Sequence, residues 1–263
     1  MQHRTDVEAA DALRDTYKHI LSEIGKVIIG QDEVVKSVLI SIFSNGHCLL
    51  VGVPGLAKTL LVQTVAQVLD LDFSRIQFTP DLMPSDIIGS EILGEDRNFK
   101  FIAGPVFANI ILADEINRTP PKTQAALLEA MQEKAVTVAG ATHKLAQPFF
   151  VLATQNPIEQ EGTYPLPEAQ LDRFLMQIDV NYPDEDAERR MIIATTFGEE
   201  TPPQTICTPD DLVEAQHLVR RRPVGEKVVN AVLRLVRAAR PDEGGAKELR
   251  EMISWGKGPR ASQ

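Results

Sequence analysis

The sequence predicts an α/β fold in which helices cover both faces of a parallel sheet. Short, continuously apolar segments predict buried strands, and apolar residues at every third or fourth position predict helices. The strands are expected at residues 48–51, 73–78, 110–113, 149–153 and 174–180. Helical patterns lie before the first strand and between most of the later ones. This alternation is typical of a parallel sheet, because each strand then needs a crossover to reach the next.

Two features extend this core. Residues 92–102 and 135–145 have the pattern of β-hairpins, and we expect both to project from the sheet. After Pro183 only helical patterns follow. The helices are expected at residues 187–197, 212–219, 228–239 and 249–255. We therefore expect an α/β domain with N-terminal helices at residues 1–183, followed by a small all-helical domain at residues 184–263.

The composition narrows the class of protein. The 263 residues include 27 Lys and Arg against 37 Asp and Glu, and this net charge of −10 argues against a dominant nucleic-acid-binding surface, with a local basic patch as the open alternative. The two cysteines, Cys48 and Cys207, lie far apart and show no zinc-site spacing. The sequence shows neither a signal peptide at its N-terminus nor an apolar run of membrane-spanning length. We expect a soluble cytoplasmic protein with reduced thiols.

A glycine-containing loop between the first strand and its helix has the pattern of a phosphate-binding loop. It consists of Gly52, Val53, Pro54, Gly55, Leu56, Ala57, Lys58 and Thr59, and the helix continues from Leu60. Small residues let backbone N–H groups approach phosphate oxygens. Lys58 is spaced to reach the terminal phosphates of ATP, and the Thr59 hydroxyl to bind Mg²⁺. The strict pattern has glycine where this chain has Ala57. The alternative interpretation of the whole segment is a simple turn before a helix, with an exposed lysine.

Polar residues follow two later strands. Asp114 and Glu115 end the strand at residues 110–113, and Asn156 follows the strand at residues 149–153. The carboxyl ends of parallel strands carry the reactive groups of α/β folds. There Asp114 could hold Mg²⁺, Glu115 could act as general base, and Asn156 could bind the γ-phosphate or the attacking water. The alternatives are a solvated acidic turn and an Asn-Pro turn.

Two arginines are candidates for stabilising phosphate charge. Arg173 precedes the last strand and could contact a γ-phosphate, although a salt bridge to Asp172 or Glu168 is the alternative. Arg260 follows a Gly-Pro pair that suits a helix start. A cation at a helix N-terminus is mildly unfavourable, so its presence suggests an anionic ligand. The alternative is that Arg260 belongs to a frayed tail.

With these motifs the chain resembles the MoxR family of AAA+ ATPases over nearly its whole length. The matching segments are Gly52–Thr59 as Walker A, residues 112–118 with the helix at 120–132 as Walker B, 153–157 as sensor one, 166–174, and 255–260 as sensor two. An alanine at the position of Ala57 is common in the MoxR family. The resemblance implies a P-loop AAA+ sheet followed by a helical lid. It also implies that Val27, Ile28, Ile29 and Gly30 line the adenine pocket of the ATP site.

The resemblance assigns roles to the site residues as well. Asp114 and Glu115 would be the magnesium-binding and catalytic carboxylates, and Asn156 would be sensor one. Arg173 would be an arginine finger acting on the ATP of the neighbouring subunit, and Arg260 would act on the ATP of its own chain. Hairpin 92–102 is similar to the helix-two insert of the family, and hairpin 135–145 to the hairpin before sensor one.

The family also implies partners and a way of working. Its members form homo-oligomeric rings, usually hexamers, and act as chaperone-like remodelers in the maturation of a client protein or in metal insertion. They often work with a protein that carries a von Willebrand factor A domain. Relatives continue past Arg260, so we expect an incomplete lid. A magnesium-chelatase-like subunit, a nucleic-acid motor and a non-hydrolysing scaffold stay open as alternatives. Arg220, Arg221 and Arg222 form the only dense basic run, and a solvated helix end explains it equally well.

Overall fold

The computed structural model describes residues 5–95, 97–158, 162–197, 202–238 and 240. The helices are α1 (Asp6–Gly25), α2 (Asp32–Phe43), α3 (Lys58–Val68), α4 (Pro84–Ile88), α5 (Pro121–Glu133), α6 (Glu168–Leu171), α7 (Glu185–Phe197), α8 (Pro209–Arg220) and α9 (Glu226–Ala238). The strands are β1 (His47–Val51), β2 (Phe73–Gln77), β3 (Gly89–Leu93), β4 (Phe99–Ala103), β5 (Ile110–Asp114), β6 (Ala135–Val138), β7 (Ala141–Lys144), β8 (Phe150–Gln155) and β9 (Phe174–Asp179).

The central sheet has five strands in the order β2-β5-β8-β1-β9, and all its neighbouring pairs are parallel. This confirms the predicted parallel sheet, and each predicted strand is present to within two residues at either end. Because the strands are parallel, their carboxyl ends lie along a single edge of the sheet. At this edge Asp114 is the last residue of β5, while the loop at residues 52–57 follows β1 and Asn156 follows β8.

Alternate residues of the strands pack on opposite faces of the sheet, which explains why the three inner strands β1, β5 and β8 are mostly apolar. Cys48 and Leu50 of β1 belong to a buried cluster with residues of α1, α2 and α3, whereas Leu49 belongs to a second cluster with residues of α5. A strand covered on both faces has no solvent-facing side on which polar residues could alternate. Helices therefore cover both faces, as the sequence predicts.

Both predicted hairpins are present. Strands β3 and β4 pair antiparallel, as do β6 and β7. Phe101 of β4 stacks on His143 of β7, with ring centroids 4.0 Å apart and an interplanar angle of 15°. Near the tip of the first hairpin, Leu93 and Phe99 are paired across the strands and are 61% and 71% exposed. The hairpins thus contact each other through aromatic rings, while the first exposes apolar side chains.

The C-terminal part of the chain contains the predicted helices α7, α8 and α9. The chain divides into two compact units, Met1–Arg220 and Arg221–Gln263, so that α7 and α8 belong to the first and α9 to the second. In the first unit Gln216 of α8 donates a hydrogen bond to the carbonyl oxygen of Ile42 at 2.9 Å. The domain boundary expected after Pro183 stays a prediction, and the helix predicted at 249–255 lies outside the described residues.

A membrane crossing would need a long apolar helix. Within the ranges that the structure describes, no helix combines the required length with the required apolar composition.

Candidate functional site

The loop between β1 and α3 is shaped by residues that bring its backbone close to the sheet. A Cβ atom on Gly52 would lie 2.6 Å from the carbonyl oxygen of Val180, so only glycine fits there. Gly55 has φ of 86°, and Ala57 has φ of 54° and ψ of 25°. Both residues therefore adopt left-handed backbone conformations, and α3 begins directly afterwards at Lys58. The first N–H groups of a helix have no partner within it, so this loop can offer donors to an anion.

Lys58 lies at the start of α3, half-buried beside the loop. Its ammonium group donates a hydrogen bond to the carbonyl oxygen of Gly52. Burial lowers the pKa of Lys58, while the negative charges of Asp114 and Glu115 oppose this shift. The predicted cation and the two predicted carboxylates are therefore near enough to interact electrostatically, although they come from segments more than 50 residues apart.

Both oxygens of the Asp114 carboxylate accept hydrogen bonds. Thr154 donates its hydroxyl to Oδ1 at 2.6 Å. Arg75 donates to Oδ2 from Nε at 3.2 Å and from Nη2 at 2.6 Å. Mg²⁺ prefers oxygen ligands, such as those of carboxylate and hydroxyl groups. Asp114 and Thr59 are therefore a chemically suitable pair for that ion.

Glu115 follows directly and has an unusual backbone. Its φ is 57° and its ψ is 50°, in the left-handed region, and its N–H donates to the Thr154 hydroxyl at 2.8 Å. Its carboxylate accepts a hydrogen bond from Gln77 Nε2 at 3.0 Å and forms an ion pair with Arg118 Nε at 3.2 Å. Gln77 of β2 and Arg118 of the turn after β5 thus fix the direction of this carboxylate, while Thr154 of β8 holds the backbone of Glu115.

Asn156 lies where β8 ends, and it is buried. Its Oδ1 accepts a hydrogen bond from the backbone N–H of Ile158 at 3.2 Å. The residue therefore forms the Asn-Pro turn that the sequence offers as the alternative reading. The same turn places its amide at the edge of the sheet that carries Asp114 and Glu115.

Arg173 lies in a different environment. Its Nη1 donates a hydrogen bond to the carbonyl oxygen of Leu128 on α5 at 2.9 Å. It borders a cavity of about 380 Å³ between α5 and the segment at α6. The lining residues are Ala125, Leu128, Glu129, Gln132, Glu133, Gln170 and Arg173. Within its own chain Arg173 thus contacts α5.

The segment Val27–Gly30 connects α1 and α2. Ile28 is buried in the cluster that also contains Val180, and Val27 packs against that cluster from the outside, as does Leu56 of the loop. Gly30 has φ of 78°, and a Cβ there would lie 2.5 Å from Cβ of Ala187. The predicted adenine segment and the phosphate loop therefore pack on the same buried cluster. Arg260 lies outside the described residues.

Sequence reasoning missed the polar residues that hold the carboxylates. These are Arg75 and Gln77 of β2 and Thr154 of β8. Thr154 could have been found, because it is two residues before Asn156 in an extended strand and so shares its face. Arg75 and Gln77 could not, since only the strand order shows that β2 lies beside β5.

A parallel sheet with such a loop and acidic residues at its carboxyl edge is typical of nucleotide-binding α/β proteins. Comparison with known proteins gives a narrower class. Residues 47–176 match the family described as "ATPase family associated with various cellular activities (AAA)". A candidate ATPase from Cytophaga hutchinsonii has a solved structure that matches with a TM-score of 0.86 and 44% identity, over 97% of this chain and 80% of that one.

Several curated relatives carry the family name. The chaperone MoxR1 of Mycobacterium tuberculosis is 48% identical over 251 residues, which are 94% of this chain and 66% of the relative. The protein MoxR of Methylorubrum extorquens is 35% identical over 185 residues, 68% of this chain and 54% of the relative. The chain thus spans slightly less than two thirds of MoxR1 and about half of the second protein. It belongs to the MoxR family of AAA+ ATPases.

Proposed function

We propose that the chain binds Mg²⁺ and ATP at the loop Gly52–Thr59 and hydrolyses the terminal phosphate bond. The observation that carries this proposal is that Lys58, Asp114 and Glu115 lie at the carboxyl ends of the parallel strands β1 and β5, where the charges of both carboxylates act to raise the pKa of Lys58. A cation, a Mg²⁺-binding carboxylate and a base are the groups that phosphoryl transfer to water needs. Lys58, Asp114 and Glu115 have the side chains suited to these three tasks, which supports the proposal.

Each residue has a distinct task in this mechanism. The loop N–H groups and Lys58 bind the triphosphate, and Thr59 and Asp114 are the residues that would hold Mg²⁺. The ion, when bound, neutralises phosphate charge. Glu115 takes the proton of the attacking water as general base. Asn156 orients that water or the γ-phosphate by hydrogen bonding. Val27–Gly30 contributes to the adenine pocket. Arg260 contacts the phosphates of the ATP that is bound to its own chain.

Arg173 is proposed to act on a neighbouring copy. Its guanidinium bonds to Leu128 of α5 in its own chain, whereas the proposed phosphate site surrounds Lys58. A ring, most simply a hexamer, brings the arginine of one subunit to the ATP of the next. This contribution is worth roughly 10³-fold or more in rate for arginine fingers in other enzymes.

We further propose that hydrolysis serves the remodelling of a client protein in the cytoplasm, with a von Willebrand factor A domain protein as partner. The name of the MoxR1 relative, a chaperone, supports this class of activity. The exposed Leu93 and Phe99 give the first hairpin an apolar tip that a client could contact. The buried free thiols Cys48 and Cys207 suit a reducing compartment. A magnesium-chelatase-like subunit or a nucleic-acid motor is the alternative, and steeply salt-dependent stimulation by DNA would favour the motor.

Phosphate release and nucleotide binding by the purified chain test the catalytic part. Glu115→Gln should retain ATP binding but lose at least about 100-fold in turnover, because only the base is removed. Lys58→Ala should lose binding as well. Lys36→Ala and Glu33→Gln are matched controls, since this ion pair is on the exposed side of α2. Unchanged turnover in Lys58→Ala would refute the proposed site.

Mixing variants tests the role of Arg173 in a neighbouring subunit. Arg173→Ala and Glu115→Gln should each be nearly inactive alone. An assembly that contains both variants should recover part of the activity, because some interfaces then combine an intact Glu115 with an intact Arg173. An assembly without any recovery would contradict action between subunits.

A further inference from the structure

Thr154 of β8 contacts both acidic residues of the proposed site through a single hydroxyl group. The hydroxyl donates to Oδ1 of Asp114 at 2.6 Å and accepts the N–H of Glu115 at 2.8 Å. The side chain is 1% exposed. A hydroxyl has one proton to donate and two lone pairs to accept with, so these two bonds are chemically compatible. They also fix the direction of the hydroxyl proton.

The two bonds act on different features of the acidic pair. The bond to Oδ1 fixes the rotation of the Asp114 carboxylate, whose other oxygen is held by Arg75. The bond from the N–H of Glu115 supports a backbone that lies in the left-handed region, with φ of 57°. A non-glycine residue persists in this region only where its surroundings compensate for the strain. Thr154 provides part of that compensation.

We propose that Thr154 is a positioning residue for hydrolysis, which sets the carboxylates of Asp114 and Glu115 in their productive arrangement. This inference rests on the proposed function. Thr154 itself need not touch the substrate, since it acts through its two acidic neighbours. Asn156 follows two residues later, directly after the end of β8, so a displacement of that end would move the amide and both carboxylates together.

Four variants of the full chain separate this role from a contribution to packing. Thr154→Val keeps the shape of the side chain and removes the hydroxyl. Thr154→Ser and Thr154→Ala differ from each other only in the hydroxyl, and they keep the test valid if the valine variant does not fold. Thr64→Val is the matched control, because Thr64 is equally buried but bonds only within α3, to the carbonyl oxygen of Leu60.

The measurements are turnover, nucleotide affinity with and without Mg²⁺, and unfolding of the nucleotide-free protein. We expect the valine and alanine variants to lose about 100-fold in kcat, the loss that misplacement of reacting groups by about 1 Å can cause. ATP affinity in the presence of a chelator should change less than about two-fold, because the loop is untouched, whereas the gain in affinity on adding Mg²⁺ should shrink. Thr154→Ser should retain kcat to within a few fold, and Thr64→Val should match the wild type.

The outcomes distinguish this inference from the proposed function. Suppose the wild type is active and Thr154→Val keeps its kcat and its Mg²⁺ dependence, or Thr154→Ala matches Thr154→Ser in both. Either result would overturn the role of Thr154 and leave the proposed function intact. A wild type that binds no ATP or does not hydrolyse it would overturn the proposed function, and the inference with it. Equal losses in Thr154→Val and Thr64→Val would show a packing effect and also refute the inference.

Discussion

His47 and Val151, on the neighbouring strands β1 and β8, are joined by a hydrogen bond in which the backbone N–H of Val151 donates to Nδ1 of the imidazole at 3.0 Å. The proton of the neutral ring therefore lies on Nε2, which faces the carbonyl oxygen of Met131 at 3.4 Å. Burial lowers the pKa of His47 to about 4. Protonation at Nδ1 would break the bond to Val151, so the neutral imidazole stabilises the fold relative to the protonated one.

The first prediction concerns stability in acid. The unfolded chain binds the His47 proton near pH 6.5, whereas the folded chain binds it only near pH 4. The stabilisation from neutral His47 is therefore complete above about pH 6.5 and is lost as the pH falls towards 4. The loss amounts to at most about 1.4 kcal/mol per pH unit, or about 3 kcal/mol over the window. Urea unfolding at pH 7, 6 and 5 measures it.

The control for this prediction is the solvent-exposed histidine His19. His47→Gln should unfold with a shallower pH dependence than the wild type, and His19→Gln should not, because His19 is exposed. Identical slopes for the wild type and His47→Gln would show that His47 does not contribute to the loss in acid.

The second prediction concerns Ala57, whose left-handed backbone would suit glycine. Ala57→Gly should relieve about 1 kcal/mol of backbone strain but add a similar entropy cost from the more flexible unfolded chain. The free energy of unfolding should thus change by less than about 1 kcal/mol, with ATP affinity retained. Ala57→Val should cost about 2 kcal/mol or more, since a β-branched residue fits this region poorly. Equal stability of the two variants would argue against the left-handed conformation.

The third prediction concerns the close approach at Gly52. Gly52→Ala would place a methyl carbon 2.6 Å from the carbonyl oxygen of Val180. The segments that follow the neighbouring strands β1 and β9 would then have to separate. We expect a loss of about 1–3 kcal/mol in thermal or urea unfolding, as in other overpacked sites, together with weaker ATP binding. Gly25→Ala is the control, because a Cβ at the end of α1 meets nothing within 4 Å. A stable Gly52→Ala variant with normal ATP binding would contradict this account.

The fourth prediction concerns the contact between the two hairpins. Phe101 and His143 are stacked, and Phe107 packs edge-on against both rings. In a double-mutant cycle with Phe101→Leu and His143→Leu, unfolding should give a coupling energy of about 0.5–1.5 kcal/mol. Additive effects would mean that the hairpins are not energetically linked. A matched cycle between Phe101 and the distant Tyr17 of α1 should give no coupling.

The sequence was enough to predict most of the order of strands and helices, although not the short helices α4 and α6, because the apolar period reports how each longer segment is buried. The parallel sheet, both hairpins and α7, α8 and α9 follow the predicted pattern. The candidate residues Lys58, Asp114 and Glu115 could likewise be selected in advance, since the loop motif and the acidic pair are contiguous in sequence and carry their chemistry in their residue types.

Contacts between distant strands could not be predicted in this way. The register pairs Gln77 with Asp114 and Ala113 with Ala153, which brings Arg75, Gln77 and Thr154 around the acidic pair. No local period encodes that register, because it depends on which strands become neighbours. The same holds for Arg173, whose contact with Leu128 depends on how β9 and α5 are placed.

The amino-acid sequence by itself therefore determined the class of fold and singled out the candidate phosphate loop and the acidic pair, since each depends on residues that are neighbours along the chain. Only the tertiary structure decided which groups hold the acidic pair in place and that burial lowers the pKa of His47. Those properties arise from hydrogen bonds and desolvation between segments that are far apart in sequence and meet only when the sheet has formed.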